Sequence, residues 1–197
     1  ICACLVGSEM CIRDRISTAT KEASGTSNMK FMLDGALTVA TLDGANIEIK
    51  DYVGEDNIFI FGLKKEEVLQ YEADHSYQAS DYYANDPILH RVLDAFVDGT
   101  IPSIGAEGAE IFNSLVHAND EYFVLRDFED YLRAQGEVEK TYRNPSLWNK
   151  KCLVNIANAG YFSSDYTIQK YADEIWHVAP SDPLDGKDCG ANGQYPL

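Results

Sequence analysis

Apolar residues fall in short unbroken runs early in the chain and at helical spacing later. Ala36–Leu42 (ALTVATL) is apolar and β-branched with no polar face, the pattern of a parallel strand covered on both sides. Asp43-Gly44 ends it. Ile58–Phe61 (IFIF), closed by Gly62, reads the same way. Met29–Leu33 reads as the start of a helix behind the small-residue loop Glu22–Asn28 (EASGTSN). Asn46–Tyr52 fits a short helix or a second strand equally well, and Lys65–Asp74 is a helix by composition. Ile88, Val92, Leu93 and Phe96 then sit at helical spacing ahead of Gly99, and Ile111, Leu115 and Val116 form another such face. Tyr122–Leu125 (YFVL) reads as a last short strand. Phe128–Tyr142 and Ser146–Gly160 read as helices, the second after the start signal Asn144-Pro145. Ser163-Ser164-Asp165 caps a segment carrying Ile168, Tyr171, Ala172 and Ile175. No period of solenoid length recurs. Strands alternating with helices, followed by a run of helices, predict an α/β class: the C-terminal part of a sheet domain and a helical region after it.

Composition narrows the function classes. The 197 residues carry 16 Lys plus Arg against 32 Asp plus Glu, a formal charge of −16. Such a surface repels phosphate backbones, so nucleic acid is not an expected partner. Nothing approaches the roughly 18–20 unbroken apolar residues of a membrane span. The acidity is uneven. Residues 16–50 hold three basic and four acidic groups, net −1, while residues 51–197 hold 11 and 26, net −15. Cys2, Cys4, Cys11, Cys152 and Cys189 form no CxxC pair, and His75, His90, His117 and His177 are dispersed, so no metal is expected. The two ends are unusual. Ile1–Arg15 starts without Met, and its arginines follow the apolar ICACLVG instead of preceding it, unlike a signal peptide. It is expected not to be a natural N-terminus. Setting it aside leaves two cysteines, which fits a cytoplasmic location. Residues 181–197 are rich in Gly, Asp, Asn and Pro and are expected to be a flexible tail.

The chemistry is expected at Ala23–Lys30. Gly25 permits a sharp turn or a close approach to a ligand. Thr26 and Ser27 are capping types, and N–H groups at a helix start attract phosphate. Lys30 follows Thr26 by four residues, so both share one helical face. That spacing suits a cofactor with a phosphate at one end and an aldehyde at the other. Apolar Phe31, Met32 and Leu33 would desolvate the amine, depress its pKa and favour Schiff-base chemistry. Glu22 and Ser24 are of the type that holds sugar hydroxyls. The plainer reading of the same residues is a cap followed by a solvated lysine.

Over residues 22–49, EASGTSNMKFMLDGALTVATLDGANIEI, the sequence resembles the α-glucan (glycogen/starch) phosphorylases and their pyridoxal-phosphate signature. ISTA before it, then DNIFIFG, YRNPSLW, NIA, FSSD and the EIW near Trp176, follow in the family's order, so the resemblance covers residues 16–180. Ile1–Arg15 does not match and has the look of a sequencing or assembly artefact. The resemblance implies the C-terminal part of a GT-B-type Rossmann-like domain. It implies that Lys30 is the lysine that forms the Schiff base with pyridoxal 5'-phosphate. Gly25 and Thr26 would lie at the cofactor phosphate, and Glu22, Ser24 and Gly25 at the glucosyl hydroxyls. The implied reaction is phosphorolysis of α-1,4-glucan by inorganic phosphate to glucose 1-phosphate, in a cytoplasmic homodimeric parent. Two departures stand out. Thr20 occupies a position where the family usually has Gly, and Asp34 replaces the signature's final Asn, where it is expected to pair with Lys30 or raise its pKa. The alternatives are a catalytically inert fragment or binding module of the same ancestry, and more remotely a nucleotide-sugar glycosyltransferase.

Overall fold

A central parallel strand, buried on both faces, organises the N-terminal half. The structure, a computed structural model, describes residues 12–15, 17–21 and 25–179, with the backbone alone at 12–15. Three strands, β1 (Ile12–Arg15), β2 (Leu37–Thr41) and β3 (Phe59–Phe61), pair in parallel in that order. Leu37 lies opposite Ile12, and Val39 opposite Phe59. Every residue of β2 is buried, which is why its sequence shows no polar alternation. Helix α1 (Thr26–Leu33) precedes β2, and α2 (Ala45–Val53) joins it to β3. The open choice at Asn46–Tyr52 thus resolves as helix. Asp43-Gly44 starts it, and Ala45, Asn46, Ile49 and Val53 make its buried face.

Beyond β3 the described chain is helical: α3 (Lys65–Asp74), α4 (Ala79–Asn85), α5 (Pro87–Asp94), α6 (Gly105–Phe112), α7 (Val124–Tyr142), α8 (Pro145–Asn158) and α9 (Ser164–Lys170). Two cores result. Leu37, Val39, Phe59 and Phe61 of the sheet pack against Ala134 and Val138 of α7 and Trp148 of α8. Leu63, Val68, Tyr77, Leu89, Leu93 and Phe123 form the second, under α3, α4 and α5.

Two expectations are corrected. Tyr122–Leu125 is not a strand: Tyr122 lies in a turn, Phe123 has φ +55°, and α7 starts at Val124. A polar residue outside the run decides this. The buried Asp120 carboxylate accepts the Leu125 N–H and the Tyr77 hydroxyl, each at 2.8 Å, and so organises the first turn of α7. On α5, Ile88 and Val92 stay half exposed while Leu89 and Leu93 enter the core. Asp86 caps that helix by accepting the Ile88 and Leu89 N–H groups, with Pro87 in its first turn.

The chain divides into two compact units, residues 1–160 and 161–197. Within the second, Ser163 caps α9 by accepting the Tyr166 N–H, as its sequence predicts. The expected apolar face is present but uncovered, with Ile168, Tyr171 and Ile175 all exposed. The proposed tail at 181–197 lies outside the described residues. No described helix is long and apolar enough to cross a membrane, and no described cluster of His, Cys, Asp and Glu could hold a metal ion.

Candidate functional site

Gly25 is buried at the start of α1 with φ +70° and ψ +27°. A Cβ placed there would stand 3.2 Å from the Ala45 Cβ and 3.5 Å from the Ala45 backbone nitrogen. Glycine is required twice over, for the left-handed backbone and for the close approach. That approach brings the first turn of α1 onto the first turn of α2, so two helix N-termini meet at one place. Both present backbone N–H groups and the positive end of a helix dipole.

Helix α1 has two faces. Thr26 and Lys30 are exposed, four residues apart on the outer one, as their spacing predicts. Asn28 and Met32, with the same spacing, are fully buried on the inner one. Met32 is thus turned into the core and Leu33 is 44% exposed, so the apolar neighbours do not enclose Lys30 among the described residues. Asp34 closes α1 as its C-cap, and among the described residues no ion pair joins it to Lys30. Glu22 and Ser24 lie outside the described residues. Thr20 just before them is described, with φ +81°. Its segment is held by the Thr18 hydroxyl, which donates to the Tyr122 carbonyl at 2.5 Å, and by Lys21, 3.4 Å from Glu72.

Sequence reasoning passed over Asn28 and Asn46. The Asn28 Nδ2 donates to the Asn46 Oδ1 at 2.6 Å, and the Asn46 Nδ2 donates to the Thr41 carbonyl at 3.1 Å. Both side chains are fully buried, and the Asn28 Oδ1 has no partner among the described residues. The signal was available: an amide four residues before a buried Met lies on the inward face and must find partners.

A carboxylate raised by burial lies elsewhere. Burial pushes Asp127 up to about 6, against the Leu63 N–H and Arg126, which favour its charged form. Its Oδ1 accepts the Leu63 N–H at 2.8 Å, and the Gly62 N–H donates to Asp130 at 2.8 Å. Gly62, with φ +80°, leaves room for the Asp127 carboxylate, since a Cβ would lie 2.7 Å from its Oδ2. A pocket of about 540 Å3 beside Asp127 is lined by Phe61, Phe128, Tyr131 and Thr18, among others, and includes none of Gly25, Thr26 and Lys30. The work of Asp127 is to fasten α7 to the turn after β3.

A parallel sheet with two helix N-termini in contact and a lysine one turn along defines an α/β protein whose paired helix starts lie beside an exposed lysine. The family model described as carbohydrate phosphorylase matches residues 6–178, beginning upstream of Ile16. The chain belongs to that family. Over 169 residues it is 49% identical to a glycogen phosphorylase of Bacillus subtilis, covering 86% of this chain and 21% of that protein. It is 46% identical over 172 residues to the brain form of glycogen phosphorylase from Homo sapiens, covering 87% and 20%. To the human muscle form it is 45% identical over 171 residues, covering 86% and 20%. The chain thus spans about a fifth of the length of these relatives.

Proposed function

We propose that this chain carries the cofactor corner of an α-glucan phosphorylase, with pyridoxal 5'-phosphate held at α1. The reading is carried by one juxtaposition: the Gly25 turn seated on Ala45, with Thr26 and Lys30 sharing the exposed face beyond it. These residues fit the group. The turn and the paired helix N-termini suit a phosphate, and the exposed Lys30 amine is one helical turn away for its aldehyde. Held there by Thr26, the Gly25 turn and Lys30, the cofactor would supply acid–base chemistry through its phosphate. The chain's own contribution is positional. Thr26 and the first-turn backbone orient the phosphate, Lys30 tethers the opposite end, and Glu22, Ser24 and Gly25 hold the hydroxyls of the transferred glucosyl unit.

In this reading the longer protein cleaves α-1,4-glucan with inorganic phosphate to give glucose 1-phosphate, as a cytoplasmic homodimer with a GT-B-type C-terminal domain. Among the described residues two lysines of the N-terminal part are engaged by carboxylates, Lys21 next to Glu72 and Lys50 paired to Glu55 at 2.7 Å. Holding both phosphates in line needs more charge and more walls than that. The chain alone is therefore expected to retain the cofactor and to release no glucose 1-phosphate. The test is incubation of the chain with pyridoxal phosphate, borohydride reduction and peptide mapping. Label concentrated at Lys30 is the expected result. Label spread evenly over Lys21, Lys30, Lys50 and the other lysines overturns the reading.

A further inference from the structure

We propose that Asn28 and Asn46 are positioning residues: their buried amide clasp holds the α1 and α2 N-termini and the end of β2 in one register, so that a phosphate at the Gly25 turn and an aldehyde at Lys30 are reached by one molecule. The inference rests on the cofactor reading above and extends it to two residues with no place on the exposed face. Asn28 sits between Thr26 and Lys30 in sequence but on the opposite side of α1. Its Nδ2 donates to Asn46 at 2.6 Å, and Asn46 passes the connection to the Thr41 carbonyl, the last residue of β2. The chain of contacts therefore runs from the helix that bears the amine, through the second helix start, to the sheet.

The arrangement is a poor one for stability alone. Asn28 is fully buried and leaves its Oδ1 without a partner among the described residues. A buried acceptor left unmade is expensive, and such groups are few in folded proteins. An apolar side chain of similar size at both positions would fill the same space with nothing unpaired. It would not fix register, because apolar contact is non-directional, whereas an amide-to-amide hydrogen bond holds one distance and one orientation. Gly25 makes that register matter. With Ala45 already at contact distance, a shift of α1 along α2 either clashes or opens the corner.

The readout that separates positioning from plain stability is preference for the phosphate. The full chain is titrated with pyridoxal phosphate and, separately, with phosphate-free pyridoxal, and trapping at Lys30 is quantified by peptide mapping after borohydride. Positioning predicts that wild type traps the phosphorylated compound preferentially and that Asn28→Ala lowers this preference about fivefold or more, roughly the worth of one hydrogen bond. Asn28→Ser, smaller but polar, carries the same prediction if the alanine variant does not fold. Met32→Ala, on the same buried face, should lower the unfolding midpoint while keeping the preference. An unchanged preference in folded Asn28 variants overturns the clasp and leaves the cofactor reading intact. A wild-type chain with no preference at Lys30 overturns both.

Discussion

Thr20 carries a backbone angle that its side chain resists. Its φ of +81° lies in the region that glycine adopts freely, and a β-branched residue is a genuine outlier there. The motif resemblance expects glycine at this position, the residue that the observed φ suits. Neighbouring contacts hold the strain in place: the buried Thr18 hydroxyl on the Tyr122 carbonyl, and the Lys21 N–H on the Thr18 carbonyl at 3.0 Å. Thr20→Gly should therefore stabilise the chain. The relief of left-handed strain exceeds the entropy that glycine adds to the unfolded state, for a net gain of about 1 kcal/mol. Urea unfolding of the two proteins measures it, and a loss of stability in the glycine variant would show that φ is not the controlling feature.

At the scale of elements, β2, β3 and the helix holding Lys30 were legible because their patterns are local, whereas β1, at Ile12–Arg15, has no apolar run and fell in the end that was set aside. ALTVATL has no polar face, and Thr26 and Lys30 share a face by arithmetic. What escaped was set by distant polar partners. Tyr122–Leu125 has the composition of a strand, yet Asp120 and Tyr77, the latter more than forty residues away, turn it into a helix start. Asn28 and Asn46 were hidden for the same reason, since nothing in a sequence shows which buried amide meets which. Asp127 is a third case. It joins α7 to Leu63, 64 residues earlier, and is buried in doing so. Burial lifts its folded pKa to about 6, above the ordinary aspartate value, so the folded state binds this proton more tightly than the unfolded chain. The stabilisation that follows is complete below the unfolded pKa and is lost as pH rises through about 6. Asp127→Asn removes that dependence while keeping an oxygen for the Leu63 N–H. Relative to wild type, the variant should gain about 2 kcal/mol between pH 4.5 and 7.5. Unfolding midpoints at the two pH values check this, and parallel profiles for the two proteins would refute it.

For the whole molecule, charge and exposed apolar surface act against each other. The formal charge is −16, and the acidic excess lies almost entirely after residue 50. Apolar side chains in that same part are exposed: Leu153 at 66%, Ile168 at 54%, Ile175 at 62% and Trp176 at 55%. Apolar contacts between copies are favourable in proportion to the area they bury, while like net charge keeps copies apart. The first effect does not depend on pH and the second does. Near neutral pH the repulsion is large and the chain should stay dispersed. As pH falls toward the isoelectric value of about 4.5, carboxylates protonate, the repulsion vanishes and the uncovered faces meet. Light scattering of the isolated chain should therefore rise steeply between pH 6 and 4.5, and added salt at pH 7 should move the onset the same way by screening. Replacing Ile168 and Ile175 with Ser removes apolar area and leaves the charge unchanged, so the onset should shift to lower pH. An onset that ignores the substitution but follows salt would place the association in charge alone and not in these side chains.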